Sequence, residues 1–202
     1  MRGIVTQNVL GTSGLIKSPD VGGGAWNFIS KQTASSSATI DFTSGIDSTY
    51  KEYLFTFKNI HPATDSQTFG FQADTGTNTS YNQTITSTWV YIQHGEDAGS
   101  AGAGYSTSYD QAQGTAFQAI TSTQGNGNDE SASGTLYIFD PSNATFAKQF
   151  LSDTQQYYDG DDSIRVLAGG YITTTTALTR FQFKMSSGDI DAGDICLYGL
   201  TT

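Results

Sequence analysis

The sequence predicts an all-β fold: an antiparallel, jelly-roll-like β-sandwich with an extended N-terminal arm. Three observations carry this prediction. Apolar residues recur at every second position in short runs, the pattern of strands with one buried face. Gly, Asn, Asp and Ser punctuate those runs at spacings typical of sandwiches. No window carries the three-four apolar spacing of an amphipathic helix; the nearest candidate, residues 108–119, is cut by Gly114 and allows a short helical turn at most.

Taken in order, residues 1–25 stand apart. They scatter the apolar residues Ile4, Val5, Val9, Leu10, Leu15 and Ile16 among Gly11, Gly14, Pro19 and the run Gly22-Gly23-Gly24. Such spacing is too sparse for a long helix, and the glycines break any strand into fragments. The expectation is an arm that reaches away from the domain and docks its apolar pairs on a partner. The β-domain follows as residues 26–202. Strand signals begin at 26–30 and 38–42, and the strongest covers 50–60, where Tyr53, Phe55 and Phe57 share one face and Leu54 and Lys58 the other. Further runs fall at 67–72, 86–93, 115–121, 134–139, 144–151, 163–173, 178–185 and 190–200. The small, polar stretches 95–109 and 122–131 are expected to be surface loops. No fixed-period repeat is visible, which argues against a propeller or solenoid.

Composition narrows the function. The net charge is −10, and no basic run offsets it. Phosphate backbones are bound by clustered Lys and Arg, so nucleic acid is not an expected partner. No apolar stretch is long enough to span a bilayer, and the first residues lack the apolar block of a signal peptide. Synthesis in the cytoplasm is therefore expected. The lone Cys196, within Ile195-Cys196-Leu197-Tyr198, reads as a buried, inert thiol.

Residues that carry chemistry are present but do not assemble into a catalytic set. His61, followed by Pro62, reads as a turn histidine held by backbone. His94 lies near Glu96 and Asp97 without a second imidazole or thiolate to complete a metal site. No Gly-x-Ser-x-Gly elbow is present. Asp159, Asp161 and Asp162 form a weak calcium candidate, because hard oxygen ligands on a short loop suit Ca²⁺; the plainer reading is a turn. No cofactor and no catalytic residue are expected. Tyr81, Trp89, Tyr91, Tyr105 and Tyr109, with Tyr157 and Tyr158, lie near loops or strand ends and are candidates for glycan or subunit contact. Rings stack on the apolar faces of sugars, and they are equally enriched at protein interfaces.

Four strings extend the reading. These are residues 26–42, which open Trp26-Asn27-Phe28-Ile29-Ser30, residues 53–65, residues 133–142, and residues 183–188 continued through Leu197-Tyr198-Gly199. Together they resemble virion proteins of marine bacteriophages over about residues 26–202. The resemblance implies a structural protein of the virion surface, and it brings no functional residues to particular positions. The expected role is a capsid decoration (cement) protein anchored by the arm, the alternative being a tail-fibre or receptor-binding module that recognises host glycans. Expected partners are the major capsid protein or tail components, with further copies of the chain in a homo-oligomer such as a trimer.

Overall fold

The computed structural model describes residues 25–76 and 79–201. The arm residues Ile4, Val5, Val9, Leu10, Leu15 and Ile16 lie outside the described residues. Thirteen strands form the fold: β1 (Trp26–Ser37), β2 (Ile40–Phe42), β3 (Glu52–Pro62), β4 (Phe69–Asp74), β5 (Ile85–Gly95), β6 (Ala101–Tyr105), β7 (Ala112–Gly114), β8 (Gln118–Ala119), β9 (Ala132–Phe139), β10 (Lys148–Tyr158), β11 (Asp162–Ile172), β12 (Arg180–Met185) and β13 (Ile190–Leu200). One sheet runs β1-β13-β3-β9-β10-β11-β5-β6, with β7 also on β5; the other runs β2-β12-β4-β8. Every strand pairing among the described residues is antiparallel.

The order of the strands makes this a jelly roll with two insertions. The chain steps from one sheet to the other at each element, except for two excursions, β5–β7 and β10–β11, that stay on the larger sheet. Without them, two four-stranded sheets remain, β1-β13-β3-β9 and β2-β12-β4-β8, each built by alternating crossings as in a jelly roll. The excursions widen the larger sheet beside β9, and Phe150 of β10, Ile85 of β5 and Ile172 of β11 still join the core shared with the smaller sheet.

Sheet period explains the core. Tyr53, Phe55 and Phe57 of β3 face inward, as do Leu136 and Ile138 of β9 and Ile195 and Leu197 of β13. They meet Phe42, Phe69, Phe71, Phe181 and Phe183 from the smaller sheet. The rings pack edge-to-face and stacked, with Phe183 centred 5.0 Å from Phe55, 5.4 Å from Phe57 and 5.8 Å from Phe69. A second apolar cluster (Trp89, Ile164, Val166 and Ala168) lies on the inner face of the inserted strands.

There the smaller sheet gives way to a loop, and buried amides hold it down. Gln72, fully buried on β4, donates from Nε2 to the carbonyls of Gln83, Thr115 and Ala116 at 3.0–3.2 Å. Gln118 accepts from Ser87 Oγ at 2.6 Å and donates to the Tyr109 carbonyl at 3.0 Å. Gln156 accepts from the Ser122 N–H at 2.7 Å and donates to the Thr123 carbonyl at 2.9 Å. A loop buried against a sheet needs partners for its backbone, and these side chains supply them.

Three local expectations are corrected. Residues 101–105, expected within a loop, form β6, because small residues without a branched signature can still pair with the edge of β5. Residues 108–119 contain no helical turn but two short strands, β7 and β8. Strand β10 continues to Tyr158, beyond the apolar run that ends at Leu151, since polar Ser152, Thr154 and Gln156 take its inward positions.

One buried charge merits a test. Lys148, 1% exposed, points inward and donates from Nζ to the carbonyls of Asn143 (2.6 Å), Phe146 (3.2 Å) and Thr174 (2.9 Å). Burial pushes its pKa below the ordinary lysine value. Lys148→Met keeps the stem and leaves three carbonyls without their donor. Urea unfolding is expected to show a loss of about 2–4 kcal/mol, and a loss below about 0.5 kcal/mol would show that water replaces the ammonium freely.

Candidate functional site

The larger sheet has a face that no element of the described chain covers, and its side chains are unusually apolar. Phe28, Tyr198, Leu54, Tyr137, Leu151, Gly169 and Thr88 stand in register across seven adjacent strands. Six strand spacings of about 4.8 Å make this row about 29 Å long. A second row, Leu167, Val90 and Tyr105, continues it towards the β6 edge. Phe28 is 59% exposed and Leu151 55%, while Trp26, Tyr105, Leu167 and Tyr171 are also open. Trp26 sets its ring against Tyr137 (6.1 Å), and Phe28 sets its own against Tyr198 (5.7 Å).

Within this band lies an apolar groove of about 430 Å³, lined by Val90, Tyr137, Leu151, Leu167 and Gly169 among others. Gly169 makes the depression: a Cβ there would stand 3.0 Å from Leu151 Cδ2. Asp153 and Arg165 form a two-point ion pair at the rim, with Nε to Oδ1 at 2.8 Å and Nη2 to Oδ2 at 2.5 Å. The guanidinium holds the Asp153 carboxyl below its ordinary range. An open apolar surface with a polar rim is the anatomy of a protein interface. Cys196 belongs to this face too, half-buried where a closed site was expected, because its position in β13 has outward parity.

The inner face of the inserted strands forms the second site. A cavity of about 400 Å³ is lined by Trp89, Tyr91 and Gln93 of β5, Tyr158 of β10, Asp162 and Ile164 of β11, and Ser106, Tyr109 and Ser122 of the covering loop. Trp89 is its most buried wall, 1% exposed, with ring centroids 4.7 Å from Tyr109 and 6.0 Å from Tyr91. Its indole Nε1 has no hydrogen-bond partner.

The aromatic candidates thus divide. Trp89, Tyr91, Tyr109 and Tyr158 come together in the cavity. Tyr105 lies on the opposite face, its hydroxyl bound to Asp110. Tyr157 lies by Glu96, whose hydrogen bond pushes its phenol up to about 12. Tyr81 is buried away from both sites, at a positive φ of 46°, donating its N–H to Asp74. Gln93 and the groove around Gly169 escaped sequence reasoning, since neither a lone amide nor a lone glycine marks a site.

Of the other polar candidates, Asp161 and Asp162 line one acidic cavity with Glu96 and Asp97, while the two histidines stay apart. Asp159 accepts from Ser66, Asp162 accepts from Ser100 Oγ at 2.9 Å, and Asp161 occupies a turn with φ of 60°. Among the described residues, no group of three or more His, Cys, Asp and Glu is placed to hold a metal ion. His61 Nε2 lies 3.0 Å from the Gly127 carbonyl, as expected of a histidine held by backbone, and His94 Nδ1 lies 2.9 Å from the Gly95 carbonyl. No family model matches the chain, and neither does any curated protein or solved structure.

Proposed function

We propose that this chain is a non-enzymatic structural protein of a bacteriophage virion, displayed on the particle surface as a capsid decoration protein. The observation that carries the reading is the open apolar band on the larger sheet. Contiguous apolar surface of this extent marks an interaction site on a soluble chain. Copies of the chain associate through it into a homo-oligomer. The arm, with Ile4, Val5, Val9, Leu10, Leu15 and Ile16, then attaches the oligomer to the major capsid protein; support for that step comes from the sequence alone. The resemblance of residues 26–202 to virion proteins supports the compartment. Jelly rolls serve both capsids and lectins, so the fold is compatible with the role by analogy. The non-enzymatic part is supported by the histidines, each of which sets one ring nitrogen against a backbone carbonyl, although the other nitrogen of His61 lies 3.5 Å from the Asp191 carboxylate. The charge of −10 makes nucleic acid an unfavourable partner.

A tail-fibre or receptor-binding role is the second reading, and the aromatic cavity favours it. Quantitative mass spectrometry of purified particles separates the two. A decoration protein is expected at a copy number comparable to that of the major capsid protein. A number matching the few fibres of a tail would overturn the decoration reading.

A further inference from the structure

We propose that the cavity walled by Trp89, Tyr91, Tyr109 and Tyr158 is a binding site for a neutral saccharide. Four observations carry this. First, the cavity lies outside the eight jelly-roll strands: the insertions β5–β7 and β10–β11 and the loop over them supply its lining. Function is commonly grafted onto a scaffold in this way.

Second, its chemistry is mixed in the sense that a sugar requires. Four aromatic side chains supply apolar surface for the C–H face of a pyranose ring, while Gln93, Asp162, Ser106 and Ser122 offer donors and acceptors to its hydroxyls. At about 400 Å³ the cavity has the dimensions of a small-ligand pocket and accommodates a mono- or disaccharide.

Third, the wall keeps an unsatisfied donor. A buried indole N–H ordinarily finds an acceptor, and that of Trp89 has none within the protein. The Trp89 environment is therefore not a fully satisfied core; because Nε1 is itself closed to solvent, a hydroxylated occupant reaches it only where the flanking Tyr91 or Tyr109 ring moves aside.

Fourth, the charge around it selects the ligand. No Lys or Arg lines the cavity. Asp162 is shared with the adjoining acidic cavity lined by Glu96, Asp97 and Asp161. Sialylated, sulfated and uronic acid-containing sugars would meet this field unfavourably. Neutral hexoses, N-acetylhexosamines and their disaccharides would not.

This site is independent of the association surface, because it opens from the inner face of the sheet and the apolar band occupies the outer one. A shell protein and a tail protein can both carry it.

The test is isothermal calorimetry of the full chain against a panel of neutral and anionic mono- and disaccharides. At least one neutral sugar is expected to bind, and the anionic analogues to bind at least tenfold more weakly. Gln93→Ala and Tyr158→Ala are each expected to weaken the best ligand tenfold or more, and Tyr158→Phe, which keeps the ring, to restore most of that loss. Thermal melts and circular dichroism identify any variant that fails to fold; Gln93→Ala, on a partly exposed strand position, is the safer of the two. The proposal is overturned if no neutral sugar binds at millimolar concentration. It is equally overturned if anionic sugars bind better, or if folded Gln93→Ala and Tyr158→Ala bind like the parent. Because the oligomeric state is measured separately, failure here leaves the decoration reading standing, and failure there leaves this site standing.

Discussion

Phe183→Ala is expected to destabilise the domain by about 3–5 kcal/mol, the range for deleting a fully buried phenylalanine. Phe183 is 0% exposed and sits at the centre of the aromatic core. Its ring contacts Phe42, Phe55, Phe57, Phe69 and Phe71, which belong to both sheets. Strands hydrogen-bonded on both sides cannot move far to refill the space, so most of the cavity persists. Five aromatic neighbours also lose quadrupole-matched contacts that area alone does not count. Phe146→Ala is the control: that ring is 69% exposed, and its loss should change stability by less than about 0.5 kcal/mol. Urea unfolding measures both. Similar values for the two would mean that the sheets are not joined by this core.

Leu151→Asp is expected to separate association from folding. Leu151 points outward from β10 and is 55% exposed in the single chain, so a carboxylate there costs the fold little. The proposed oligomer is expected to respond differently, because Leu151 stands between Tyr137 and Gly169 in the middle of the apolar row. An unpaired charge buried at an interface costs several kcal/mol, which weakens association a hundredfold or more. The chain already carries a net charge of −10, so each association brings like charges together and a further carboxylate adds to that. The melting temperature of the dissociated chain should stay close to that of the dissociated parent.

Much of the fold was legible because period-two patterning is explicit where an apolar core is apolar. Tyr53, Phe55 and Phe57 declare the inner face of β3, and Phe181 and Phe183 do the same for β12. Legibility failed where polar residues took inward positions. The segment Ser152, Thr154 and Gln156 faces in, but Thr154 and Gln156 hold loop backbone and Ser152 bonds the Thr135 carbonyl of β9, so it carries no apolar period. Glutamine looks like surface in composition; Gln72, Gln118 and Gln156 are instead buried amide clamps. The aromatic candidates were recognisable as a class, yet their division between a cavity, an outer face and a buried turn depends on strand order, which only long-range pairing sets. The outer band was hidden for the opposite reason. Trp26, Phe28, Leu151 and Leu167 look like ordinary strand residues until their shared parity across the sheet is known.

Sedimentation velocity on the full chain, run beside Leu151→Asp over a range of concentrations, tests the association surface most directly. The parent is expected to sediment as a homo-oligomer and the variant as a folded single chain of 21.5 kDa. A parent that sediments as a single chain throughout the range, or a variant that assembles as well as the parent, would contradict the claim that the open apolar face of the larger sheet is where this protein assembles.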